Sequence, residues 1–211
     1  MLQQVIVVSM SLTLGVSLAN DTKVLFLNRP SEQTYQPVNL DHSGEESIGS
    51  YSRVAASPLL DQLTSAPDEL TAQDLENRIM KTWIVSGSPE IDALMQQSMV
   101  YAQEGNLDAA LAVQDAVITK APGFAEGWNQ RATLLYLLGH YDVALADLGR
   151  VLAIEPRHFA AASNIGLICA ARGDHLGAVL AFERVLEIDP LNKIARSSIR
   201  ELRKQLEGAP V

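Results

Sequence analysis

The sequence predicts an all-α chain: an α–α superhelix of three stacked helix–turn–helix units, with a degenerate helix pair before them and a capping helix after. Three observations predict it. Gly105, Gly139 and Gly173 recur every 34 residues, as do Ala110, Ala144 and Ala178, then Val117, Val151 and Val185, then Pro122, Pro156 and Pro190. Four independent columns on one period mark a repeated supersecondary unit. Between the columns, Leu94, Trp128, Tyr101, Leu135, Leu148, Phe182, Leu152 and Leu186 keep the 3.6-residue period of a helix face. Hydrophobic residues make up 47% of the 211 residues but aromatics only 5%, so the core is built from Ala, Leu, Ile and Val.

Residues 1–19 contain no Lys, Arg, Asp or Glu, and an apolar run ends in Ser17-Leu18-Ala19. That is the pattern of a secretory signal peptide, lacking only a basic residue before the run. The run is shorter than the ~20 apolar residues of a membrane span. It implies a periplasmic protein; the alternative is an uncleaved segment anchoring the chain to the inner membrane. Residues 20–57, with Asn-Arg-Pro, Gln-Pro and Gly-Ser steps, read as a linker or disordered tail. Its cluster Val24-Leu25-Phe26-Leu27 is either incidental or a short ligand through which the chain self-associates.

Residues 58–88 read as the degenerate helix pair, flanking the solenoid. Ser57-Pro58 supplies an N-cap and first-turn proline, and Thr71 with Asp74 resembles a capping box. Ser88-Pro89-Glu90 starts the first full unit. The units span 91–124, 125–158 and 159–192. In each, helix A ends at the glycine, which accepts a positive φ without a Cβ penalty, and the proline stops helix B. Small residues at Ser98, Ala132 and Gly166 face Ala110, Ala144 and Ala178, so the paired helices approach closely. Residues 193–207 carry Ile194, Ile199, Leu202 and Leu206 along one side and five basic residues along the other. That is the polar-backed cap a repeat array needs for solubility.

Residues 91–193 resemble the tetratricopeptide repeat family. The likeness extends to tetratricopeptide proteins of bacterial cell envelopes, those of alphaproteobacteria in particular. It lies in Trp128-Asn129-Gln130-Arg131-Ala132-Thr133, Leu135-Tyr136 and Glu155-Pro156-Arg157-His158-Phe159. The first unit departs from the family pattern at Gln97 and Gln114, and the second at Arg131, each where an apolar residue is usual. If buried, Arg131 needs a carboxylate partner, for which Asp147 or Glu126 serves.

The resemblance implies a curved array whose helix A lines a concave groove. The second, fifth, ninth, twelfth and thirteenth residues of each unit then face it. These include Asp92, Met95, Met99 and Ala102 in unit one, and Glu126, Asn129, Thr133, Tyr136 and Leu137 in unit two. In unit three they are Ala160, Ser163, Leu167, Ala170 and Ala171. No Lys or Arg stands among them, so the basic clamp with which some family members grip carboxylates is missing. Met95, Met99, Asn129, Thr133, Tyr136 and Leu167 are the candidate partner-binding residues, suited to an apolar helix or extended strand.

No catalytic, metal or cofactor site is expected. There is no Gly-x-Ser-x-Gly, phosphate loop, His-Glu-x-x-His or Cys-x-x-Cys motif. Cys169 stands alone in a core column, and His42, His140, His158 and His175 share no ligand spacing. The formal charge of −9 argues against nucleic acid. The expected function is a non-enzymatic scaffold or adaptor of the bacterial cell envelope, holding a protein or peptide segment in the groove. A periplasmic chaperone or assembly factor for apolar segments is the alternative, and an accessory subunit of an enzyme the remote one.

Overall fold

The computed structural model describes residues 48–207 as a chain of α-helices without a strand. The predicted signal peptide and the apolar cluster at 24–27 lie outside the described residues. Two helices come first, α1 (Ser50–Thr64) and α2 (Glu69–Trp83). Three A–B pairs follow: α3 (Pro89–Gln103) with α4 (Leu107–Lys120), α5 (Ala125–Leu137) with α6 (Tyr141–Ile154), and α7 (Phe159–Ala171) with α8 (His175–Ile188). The cap is α9 (Lys193–Glu207).

The three interhelix turns are copies of one another. Gly105, Gly139 and Gly173 take φ of 77°, 81° and 78°. The following amides, of Asn106, His140 and Asp174, each reach back to the fifth carbonyl before them, at 2.9, 2.8 and 2.9 Å. This is the Schellman closure, which satisfies the last carbonyls of helix A. A Cβ on any of these glycines would meet nothing within 4 Å, so the backbone angle alone demands glycine. Gly139→Ala is therefore expected to cost about 1–2 kcal/mol, read as a lower urea midpoint at unchanged m-value.

Within each unit the small residues act as anticipated. A Cβ on Gly166 would lie 2.8 Å from the Phe182 ring, so this crossing is closed to any larger residue. In unit one the Ser98 hydroxyl donates to the Ala110 carbonyl at 3.0 Å and ties helix A to helix B.

The N-terminal helices differ from the sequence expectation in three ways. The tail was expected to run to residue 57, but α1 begins at Ser50, with Pro58 inside it. Gly49 caps it in a left-handed conformation, and Ser52 donates back to the Gly49 carbonyl at 2.9 Å. Pro58 leaves the Val54 carbonyl without a donor, but both residues lie on the exposed side, where solvent satisfies that group. The second difference is the cap of α2. It is Asp68, whose carboxylate accepts from the Thr71 amide at 2.8 Å, and Thr71 sits within the first turn.

The third difference is the largest. The pair does not stack ahead of unit one as a flanking repeat. Instead α1, about 22 Å long by its helical rise, runs across the row of turns joining one unit to the next. Gly49 abuts Gly123 and Phe124. Arg157 then holds Asp61 at 2.5 Å and Ser57 at 2.9 Å, and Thr64 donates to the Ile188 carbonyl at 3.1 Å. The return helix α2 is held by Glu69 to Lys193 at 2.7 Å and by Glu76 to Asn192 at 2.9 Å. The amide of Gly49 donates to the Ser86 carbonyl at 3.1 Å and closes the hairpin.

The reason lies in where apolar surface is offered. Unit one presents exposed Gln96 and Gln97 on helix A. Unit three offers Phe159, Val185 and Ile188, and these join Leu60, Leu63, Leu75, Ile79 and Trp83 of the hairpin in one buried cluster with Ala195, Ile199 and Leu202 of the cap. A second cluster runs through the three units, and a smaller one, around Ile91, Met95 and Phe124, closes the first.

Candidate binding groove

The helix-A face is built from α3, α5 and α7. Its N-terminal half is a buried polar ladder. Glu126, at the start of α5, is 1% exposed, and its carboxylate accepts from Asn129 at 3.1 Å and Gln130 at 2.6 Å. The same carboxylate lies 3.2 Å from Nε2 of His158. The other ring nitrogen, Nδ1, accepts from the Ala161 amide at 3.1 Å and so caps α7. An Nδ1 that accepts carries no proton, which assigns the proton to Nε2 and makes it the donor to Glu126. Asn164 of α7 continues the ladder, donating to Asn129 at 3.1 Å and toward Thr133 at 3.4 Å.

Arg131 sits behind this face, 1% exposed. Nε and Nη2 each donate to Asp147 at 2.7 Å, a bidentate grip, and Nη1 donates to Asp115 at 2.8 Å. Its guanidinium also lies 5.1 Å from the Trp128 ring centroid, a cation–π distance. Of the two partners expected from the sequence, Asp147 is the one used, because Glu126 is turned into the ladder. One residue thereby ties α4, α5 and α6 together, a structural role rather than a groove-facing one.

The six candidate residues fall into two groups. Asn129 and Thr133 are buried within the ladder. Leu167 is 2% exposed and belongs to the cluster that includes the hairpin. Met95 is buried too, its sulfur accepting from the Gln114 amide at 3.2 Å. Met99 and Tyr136 remain half-exposed. Tyr136 leans on Tyr141, with ring centroids 5.6 Å apart. A crevice of about 10 Å³, room for a single water, opens between Met95, Met99, Ala102 and Thr133. Among the described residues the Gln114 Oε1 behind it receives no hydrogen bond.

The accessible face is therefore the C-terminal half of the A helices. It carries Met99 and Ala102, then Tyr136 and the exposed Leu137, then Ala170 and Ala171. Asp92, expected on this face, is spent on the α2–α3 link, accepting from the Ser86 amide at 2.8 Å and hydroxyl at 2.7 Å.

No sequence motif marks what packs against the start of the third A helix. Trp83 of α2 stacks on His158, centroids 3.9 Å apart and planes 11° from parallel, and meets Phe159 at 5.1 Å. The hairpin cluster continues into the groove-facing positions Ala160, Leu167 and Ala170, and touches Tyr136. The self-docked hairpin thus packs against the start of α7, at the edge of the face. Its only local signal was the apolar spacing of Leu75, Ile79 and Trp83, which marks a buried stripe without saying what covers it.

Reactive chemistry is sparse. The Cys169 thiol is half-buried, and burial, with Asp174 nearby, raises its pKa above that of an ordinary cysteine. A thiol so raised is a poor nucleophile. Among the described residues no group of three His, Cys, Asp or Glu side chains is placed to hold a metal. No described helix is long and apolar enough to cross a membrane.

Comparison with known proteins agrees with this architecture. A tetratricopeptide repeat family model matches residues 129–193. A TPR repeat-containing protein of Rhizobium etli is 37% identical over 150 residues, covering 71% of this chain and 74% of that protein. Among solved structures, the first TPR of Spaghetti (RPAP3), bound to an HSP90 peptide, superposes with a TM-score of 0.54 at 24% identity, over 56% of this chain and 94% of that one. The Yersinia enterocolitica type III secretion chaperone SycD, in complex with a peptide of the translocator YopD, gives 0.53 at 13% identity, over 56% and 96%.

Proposed function

The chain belongs to the tetratricopeptide repeat family, and on that premise we propose that it is a non-enzymatic scaffold of the bacterial cell envelope that binds an apolar protein segment on its helix-A face. One observation carries the reading. The open half of that face presents Met99, Ala102, Tyr136, Leu137, Ala170 and Ala171, with no charged side chain among them. Such a surface suits the apolar side of a helix or strand. It does not suit the acidic tail of an HSP90-type peptide, which needs cations. The placement in the envelope is supported by the apolar leader of residues 1–19.

The test is a titration of full-length protein with labelled peptides, one an apolar amphipathic helix and one an acidic C-terminal tail. The apolar peptide is expected to bind with little dependence on salt, and Met99→Lys with Leu137→Lys to weaken it at least tenfold at unchanged Tm. Preference for the acidic tail, or indifference to these substitutions, would overturn the reading. Cell fractionation with mass analysis of the mature N-terminus tests the compartment. The alternative, an assembly chaperone, is favoured by the likeness to a secretion chaperone and predicts similar affinity for many unrelated apolar peptides.

A further inference from the structure

The cap helix α9 starts one 34-residue period after α7, and the repeat columns continue into it. Ala195 and Leu202 are as buried as Ala161 and Ile168 one period before them, so the register holds. Ser98, Ala132 and Gly166 form the column at which helix A crosses helix B of its own unit. The Ser98 hydroxyl bonds Ala110 of α4, and a Cβ on Gly166 would meet the Phe182 ring of α8. The next member of that column is Arg200. Arg196 and Arg203, four residues before it and three after, share its side of the helix. The face that receives a helix B in every unit therefore carries three arginines on α9. Among the described residues this seat is an open groove of about 480 Å³ between α8 and α9. Leu186 and Ile199 supply its apolar part, and Arg196, Arg200, Arg203 and Lys204 its cations. Glu207 is the one carboxylate in its wall.

These cations are only partly matched. Arg203 donates to Glu183 of α8 at 2.7 Å, and Lys204 lies 4.0 Å from Glu201. Arg196 donates to the Pro190 carbonyl at 2.6 Å, and among the described residues no carboxylate lies within 4 Å of Arg196 or Arg200. Arg200 also sets a distance. A further repeat helix would have to come as close as Gly166 allows, and a long side chain in that column prevents it. What fits is a helix that stands a side-chain length away and offers acceptors. We propose that the α8–α9 groove is a second interaction surface, which docks an amphipathic helix of a partner protein carrying carboxylates along one side. Carboxylates four and three residues apart would meet Arg196, Arg200 and Arg203 in turn, with apolar neighbours resting on Leu186 and Ile199. Arginine–carboxylate pairs are directional and charge-assisted, so a row of three specifies register as well as sign. The groove belongs to a helix B and the cap, so the inference stands apart from the reading of the helix-A face.

Fluorescence anisotropy on the full chain tests this with two labelled helical peptides. Both carry leucines on one side; one has glutamates at i, i+4 and i+7 beside them, and the other has lysines in those places. The glutamate peptide is expected to bind, and to weaken about tenfold between about 0.1 and about 1 M salt as exposed pairs are screened. Arg196→Glu with Arg200→Glu should abolish that binding at unchanged Tm and should bind the lysine peptide instead. If the double variant loses stability, Arg200→Gln alone is read, and it should still weaken the glutamate peptide severalfold. Met99→Lys with Leu137→Lys, on the helix-A face, should leave this binding as it is. Equal binding of the two peptides by the wild type, or indifference to the arginine substitutions, would overturn the proposal. Loss of binding through the Met99 and Leu137 substitutions alone would overturn it too, by placing the peptide on the helix-A face. So would a wild type that binds anionic phosphatidylglycerol vesicles and not the glutamate peptide, which would assign the basic face to a membrane surface.

Discussion

Arg131→Ala is expected to destabilise the fold by about 3–5 kcal/mol, the usual cost of breaking a buried ion pair from one side. The loss does not measure the worth of the pair. It reflects Asp147, 3% exposed, left with a charge and without its two guanidinium bonds. Asp115 is about one-third exposed on its side chain, so solvent relieves it and it adds less. Two comparisons separate these effects. Asp147→Ala should cost a similar amount, because it strands the guanidinium. Replacing both residues with leucine should recover much of the loss, since apolar pairs of similar volume often match buried ion pairs. Urea unfolding of the three variants checks the order. If Arg131→Ala left stability untouched and abolished partner binding, the residue would be a recognition residue instead.

Trp83→Ala has the second-largest expected effect, about 3–5 kcal/mol, the range for removing a buried tryptophan. Here the loss should be local. Trp83 is 2% exposed and anchors the hairpin on His158 and Phe159, while the cluster that runs from unit one through unit two to Ala161 and Ile168 contains no hairpin residue. Limited proteolysis should therefore cleave within residues 48–88 and leave the remainder resistant. Trp83→Phe should cost much less. It keeps an aromatic face on His158 and removes the indole donor that lacks an acceptor. If Trp83→Ala unfolded the whole chain in one step, the hairpin would be an integral part of the solenoid rather than a docked element.

These two residues show what was legible in the sequence. Arg131 stood out because it broke an apolar column, and burial leaves a charge few options. Asp147 was nameable because it stands 16 residues on, on the facing helix of the same unit. The turns were legible for a similar reason: a glycine at a fixed period is a local demand on φ. Trp83 was not legible in this way. Its partner, His158, is remote in sequence, and an apolar stripe fixes which side of a helix is buried but not against what. The ladder was hidden by the same distance. Glu126 and His158 are 32 residues apart, and Asn129 and Asn164 are 35. Groove positions read from a repeat assume that the groove is empty. Asn129 and Thr133 find amide partners within it, and the cluster of the hairpin reaches Leu167.

The transverse course of α1 also sets an order of events during synthesis. A repeat array is ordinarily local in its contacts, each unit meeting only its neighbours. Here Thr64 must find Ile188, 124 residues later, and Glu76 must find Asn192, 116 later. A hairpin complete at residue 83 waits for a surface that has not been made. At roughly 5–20 residues per second, that interval is on the order of 5–20 s. Throughout it, Leu60, Leu63, Leu75, Ile79 and Trp83 have only each other, without the unit-three surface that completes their burial. Any holding factor that acts on the nascent chain has its opportunity in those seconds, and the last unit to be translated ends it.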